Sequence, residues 1–176
     1  DLKLSNKPSI IITTSKIPKY PKTYYTRGIN TKFSNIKLYL NKNLDSVKHS
    51  NKIDYILATN EVSKKYPEII LCNEKDYIIE GTSCNIFFIK NKKLFTPNIE
   101  GYGVEGVMKN IIINTLKRNG ISTKTLNIKK ADVRNYDAAF FCNSIRKIWN
   151  IRSIGNTRYQ NSDFVNQIKI LIYGNV

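Results

Sequence analysis

Four stretches of the chain hold residue types that do chemistry. Lys48 stands in Val47-Lys48-His49-Ser50-Asn51-Lys52 and brings an amine that can attack a carbonyl carbon and carry a proton. Glu80 leads Glu80-Gly81-Thr82-Ser83-Cys84-Asn85, a carboxylate followed by small residues and an asparagine. In Gly103-Val104-Glu105-Gly106-Val107-Met108-Lys109, residues Gly106, Val107 and Met108 sit where a helix begins, and the free N–H groups and dipole of a helix start make a seat for phosphate. Ser144, in Phe141-Cys142-Asn143-Ser144-Ile145, offers a hydroxyl just past an apolar strand. Taken singly, each has a plainer reading: a surface lysine in a lysine-rich chain, a solvated carboxylate, an ordinary glycine turn.

Their order and spacing say more. With Leu94-Phe95-Thr96-Pro97 between them, the acid-led hairpin and the glycine-led helix start resemble the signature of the fold-type IV (class IV aminotransferase) pyridoxal-phosphate enzymes. Residues 47–52 resemble the Lys-His-x-Asn-basic segment of the aminodeoxychorismate lyase branch of that family. Phe141–Ile145 followed by Ile148-Trp149-Asn150-Ile151 resembles its last cofactor-contacting strand and turn. The resemblance covers most of residues 34–160.

What it implies is specific. Pyridoxal 5'-phosphate would be the cofactor, with Lys48 both linked to its aldehyde and catalytic. Glu80 would face the protonated ring nitrogen and keep the ring an electron sink. Gly106, Val107, Met108 and Ser144 would hold the phosphate, and no metal is called for. The implied fold is α+β, a mixed sheet or irregular β-barrel with outer helices, as in the C-terminal domain of the D-amino acid aminotransferase-like fold. Residues 1–33 would be the interdomain connection and first strand, and residues 34–176 the C-terminal cofactor-binding domain. The N-terminal domain of the family, roughly 100 residues on ordinary domain sizes, is expected to be absent from this chain. The implied activity is a lyase that converts 4-amino-4-deoxychorismate to 4-aminobenzoate and pyruvate for folate synthesis, in a cytoplasmic homodimer. A transaminase acting on branched-chain or D-amino acids would use the same residues. The reading outside catalysis is an inactive fragment or a basic binding module.

Some positions depart from the family's habit. Lys109 stands where arginine is usual, and Lys147 and Asn150 stand where glycine and proline are usual. These changes bear on the substrate rather than on the cofactor. Glu105 puts a negative charge beside the expected phosphate seat. His49 is expected to orient or pack, Trp149, Phe87 and Phe88 to form core or one pocket wall, and Asn51 and Asn85 to fix turns.

The elements that must position these groups follow from pattern. Residues 1–8 read as a linker, and the β-branched run Ser9–Thr14 as a strand. Tyr20–Thr31 reads as an ordered loop or a crossing between domains. Alternation of Ile36, Leu38 and Leu40 predicts a strand, and Ile53, Ile56, Leu57 and Val62 predict a helix over 51–65. Strands are predicted at 68–73, 77–80, 85–90 and 93–96. A helix is predicted through Val107, Ile111, Ile112, Thr115 and Leu116, stopped by Asn119-Gly120. Next come a strand over 121–128, a short helix over 131–135, strands at 138–142 and 148–154, and a last helix from Ser162 or Asp163 to about Leu171. Strands do not alternate strictly with helices, which favours a mixed sheet over a doubly wound parallel one.

Composition sets the remaining bounds. At 176 residues the chain suits one domain. Its net charge of +16 comes from lysines in scattered pairs among many Asn, Ile and Tyr residues, the habit of an AT-rich coding sequence. Such a surface does not by itself call for nucleic acid. Three cysteines without CxxC spacing, and His49 as the only histidine, call for neither a disulfide framework nor a metal set. No apolar run approaches the roughly 20 residues of a membrane span.

Overall fold

The computed structural model describes residues 9–44, 47–160 and 162–174. The linker expected over 1–8 lies outside them. The large sheet is built around β5 (Asn85–Lys90), β8 (Ala138–Asn143) and β9 (Lys147–Ile154), paired antiparallel in the order β9-β8-β5. On one side β1 (Ile29–Thr31) joins β9 in parallel. On the other, β6 (Lys93–Pro97) pairs antiparallel with β5, and β7 (Thr123–Leu126) pairs parallel with β6. The short β10 (Thr157–Arg158) folds back on β9. A second sheet holds β2 (Phe33–Leu38), β3 (Ile70–Asn73) and β4 (Ile78–Gly81) in that order.

The expected α+β class with mixed sheets therefore stands, but the described strands form two open sheets and no closed barrel. The central strands are apolar on both faces, which is why their sequences run rather than alternate. Ile86 and Phe88 of β5 join Phe141, Trp149 and Ile151 on one face, against Ile70, Cys72 and Ile78 of the small sheet. Phe87, Ile89, Phe140, Cys142 and Ile148 point the other way. There they meet α3 (Val107–Arg118) through Ile112 and Leu116, and α4 (Asp163–Tyr173) through Phe164, Val165 and Ile168. Each such side chain contributes roughly 1.5–3 kcal/mol on burial. A third cluster seats Ala58 of α2 (Ile53–Thr59) on Leu38, Leu71 and Ile79 of the small sheet.

Several expectations need correction. Ser9–Thr14 forms no strand: Ile10, Ile11 and Ile12 are more than four-fifths exposed, because no neighbouring strand offers them a ladder. The segment read as a loop over 20–31 holds a short helix, α1 (Lys22–Thr26), and β1. It is ordered by Trp149, whose ring takes Tyr20, Tyr24 and Tyr25 edge-on at 5.0, 5.1 and 6.1 Å. The helix expected over 51–65 ends at Thr59, and Ile53, Ile56 and Leu57, which suggested it, lie on its exposed face.

One polar knot braces the core beneath the β4–β5 turn. The Glu68 side chain is fully buried and accepts from Thr82 Oγ1, Ser83 N–H, Ser83 Oγ and Arg146. The Arg146 guanidinium also covers the Trp149 and Tyr20 rings at 5.0 and 5.2 Å. Removing one partner of a buried pair strands the other charge. Arg146→Ala is thus expected to cost about 3 kcal/mol in urea unfolding. A loss under about 1 kcal/mol would mean that the hydroxyls alone satisfy Glu68.

Candidate active site

Where the β4–β5 turn, the β8–β9 turn, the start of α3 and the segment before α2 converge, they enclose a cavity of about 490 Å³. Lys48, Glu80, Gly106, Val107, Met108 and Ser144, singled out on residue type and motif order, all line it. Four separate parts of the chain thus deliver them to one space. Phe87, Phe88 and Trp149 are core and do not line the cavity.

Glu80, at the end of β4, is 4% exposed. Its Oε1 accepts from the Tyr55 hydroxyl at 2.6 Å and from the Val104 N–H at 3.1 Å, and its Oε2 from Asn85 Nδ2 at 2.9 Å. Burial pushes its pKa up to about 7, while the Tyr55 and Val104 hydrogen bonds and the charges of Lys52 and Lys109 pull it back. The group is therefore poised between its two protonation states near neutrality. The Tyr55 hydroxyl, buried beside this carboxylate, is held well above its ordinary range.

Asn85 does more than fix a turn. The same Nδ2 also donates to the Val104 carbonyl at 2.9 Å, tying the approach to α3 onto Glu80. A Cβ on Gly106 would lie 2.0 Å from Asn85 Oδ1, so only glycine lets the helix start this close. Gly106 caps α3 in an extended conformation without a side-chain hydrogen bond, which leaves the first N–H groups of the helix available at the cavity. Glu105 forms an ion pair with the buried Lys109 at 2.9 Å, so its charge is matched rather than opposed to an anion at the helix start. Ser144 is exposed in the β8–β9 turn, which Asn143 pins by donating to the Ser83 carbonyl at 2.9 Å and accepting from Ile145 and Arg146 N–H.

Lys48 is exposed and lines the cavity together with a second amine, Lys52. Lys52 lies over the Tyr55 ring at 4.2 Å; burial and the nearby Lys48 lower its pKa, and Glu80 opposes them. His49 is half-buried, does not line the cavity, and its Nδ1 is buried without a hydrogen-bond partner. Asn51 is exposed and makes no side-chain hydrogen bond among the described residues, against the turn-fixing role expected of it. Lys147 has φ of +60°, a conformation that suits the glycine usual at this position better than lysine. Tyr55 and the Glu68–Arg146 pair went unnoticed in the sequence, and Lys52 and Asn143 were read only as members of their motifs, with no role of their own.

The set fits a phosphate-bearing pyridine aldehyde. An amine and a phosphate seat open on the same cavity as a buried carboxylate that a ring cation would stabilise. Among the described residues no group of His, Cys, Asp and Glu could hold a metal, and no described helix is long and apolar enough to cross a membrane.

Comparison with known proteins places the chain in a family and shows which folds it shares. The sequence model of the family described as amino-transferase class IV matches residues 2–154. An aminodeoxychorismate lyase of Vibrio harveyi is 27% identical over 78% of this chain and 51% of its own length. A probable branched-chain-amino-acid aminotransferase of Aquifex aeolicus is 27% identical over 93% of this chain and 55% of its own. Among solved structures, the 4-amino-4-deoxychorismate lyase of Pseudomonas aeruginosa superposes with a TM-score of 0.84 at 22% identity, over 89% of this chain and 60% of that one. The branched-chain aminotransferase of Thermoproteus uzoniensis gives 0.75 at 22% identity, over 84% and 52%. The fold is shared with both, and the chain spans about half the length of the curated relatives it matches.

Proposed function

This chain belongs to the class IV amino-transferase family, and on that premise we propose that it is the C-terminal, cofactor-bearing domain of a pyridoxal-phosphate-dependent lyase converting 4-amino-4-deoxychorismate to 4-aminobenzoate and pyruvate. The observation that carries the reading is the shared cavity of Lys48, Glu80, Ser144 and the α3 start. Residues 34–176 are the cofactor domain and residues 1–33 the connection to a preceding one, its last part already folded onto β9. The exposed apolar face of α2 suits a homodimer contact, and three buried free thiols suit the reducing cytoplasm.

When bound, pyridoxal phosphate supplies an aldehyde that links to an amine and a ring that withdraws electrons from the neighbouring carbon. Lys48 is the amine that would hold the cofactor and would carry the proton to and from the substrate carbon. Glu80 would hold the proton at the ring nitrogen, and Tyr55, Asn85 and the Val104 N–H fix its carboxylate in place. The N–H groups of Val107 and Met108 and the Ser144 hydroxyl hold the phosphate. Formation of the aromatic ring of 4-aminobenzoate pulls the reaction forward, so positioning is the main task left to the protein.

The Lys48-His49-x-Asn51-Lys52 segment favours lyase over transaminase, and relatives bearing either name match the chain. The two separate in one assay. The full gene product, given 4-amino-4-deoxychorismate and no 2-oxo-acid acceptor, is expected to release pyruvate. A strict need for an acceptor, with an amino acid as product, would replace the lyase by a transaminase.

A further inference from the structure

A larger cavity lies elsewhere. β9 begins beside Ser144 and ends at Ile154, roughly 25 Å away at strand spacing. At that far end lies a cleft of about 650 Å³ walled by Arg27, Lys65, Arg152 and Arg158, and it continues into a lobe of about 280 Å³ that adds Lys64. No carboxylate lines either lobe, and none of these five cations has an ion-pair partner among the described residues.

General basicity does not account for this cluster. Only six of the 29 basic residues of the chain are arginine, yet three of the six line one cleft. Arg152 and Arg158 come from paired strands joined through Gly155, whose φ of +55° makes the tight return. Like charges gathered across a hairpin repel, so an uncompensated set of this kind weakens the fold unless an anion offsets it. Guanidinium groups present forked donors that match phosphate oxygens, which lysine amines do not. Asn30 and Asn156 add amide donors. The β9–β10 turn lines the main cleft, α1 and Pro67 line the lobe, and the three guanidinium groups gathered at one cleft match a ligand with several phosphate groups close together.

We propose that this cleft is a second ligand site, which takes a compact oligophosphate such as the phosphate tail of a nucleotide. It stands apart from the cofactor cavity and does not depend on the reading of that site. The test is calorimetric titration of sodium tripolyphosphate into the full gene product at about 0.15 M salt, where weak surface attraction is screened. One equivalent is expected to bind. Arg152→Gln with Arg158→Gln should raise Kd about tenfold or more, equivalent to about 1.4 kcal/mol. Lys117→Gln with Arg118→Gln removes the same charge at the end of α3 and should leave Kd within about twofold. Three results would overturn the proposal: no binding, equal weakening in the two double variants, or a single-stranded oligonucleotide binding more tightly than tripolyphosphate through the same arginines.

Discussion

Lys48→Ala is expected to abolish the yellow absorbance that pyridoxal phosphate gives when joined to a protein amine, and to lower turnover of the full gene product by about 10⁴-fold, the upper end of what a positioned acid–base group supplies. The competing amine makes this a sharp test, because Lys52 lines the same cavity. Lys52 is engaged with the Tyr55 ring and lies in the field of Glu80, so its place is beside the carboxylate. Lys48 has no such engagement among the described residues, and it is the one that the motif order singles out. Borohydride reduction followed by peptide mass mapping should therefore fix the cofactor on the peptide carrying Lys48, and Lys52→Ala should keep the absorbance. If instead the label moves to Lys52, or the colour survives Lys48→Ala, the amine has been wrongly assigned.

Much of the site was legible because residue type announces it. Small residues after Glu80 and a glycine before α3 mark close approaches whatever the partner, here Glu68 for Thr82 and Ser83 and Asn85 for Gly106. Partners far apart in the chain were not legible. Nothing in Tyr55 or Glu68 indicates that the first will donate to Glu80 or that the second will meet Arg146, 78 residues on. Periodicity failed where burial is not what the pattern assumes. The apolar residues of α2 face outward and Ala58 faces in, so the helix was found from the wrong face. Ile10, Ile11 and Ile12 have strand propensity and no sheet to join, since β1, further along, takes the place beside β9. The core strands were found because β-branched and aromatic runs between turns remain recognisable when both faces are buried.

Glu80→Gln tests the carboxylate in two independent ways. With its pKa raised from 4.5 to about 7 in the folded chain, Glu80 keeps a proton that the unfolded chain has released. The folded state then binds more protons between those values, so stability falls as pH rises through that window. The penalty is absent below the unfolded pKa, complete above the folded one, and at most about 3 kcal/mol. Glutamine has no proton to lose, so the variant should show a flatter pH dependence in urea unfolding. It does carry a constant cost of about 1 kcal/mol, because its amide would face the Asn85 donor where Oε2 now accepts. Adding pyridoxal phosphate should flatten the slope of the parent as well, since a ring cation beside Glu80 favours the ionised carboxylate. In the full gene product the substitution should lower turnover by about 10²–10³-fold, the scale of losing one preorganised electrostatic contact. A slope that persists in the variant would assign the titration to another group. Undiminished turnover would show that the ring nitrogen does not face position 80.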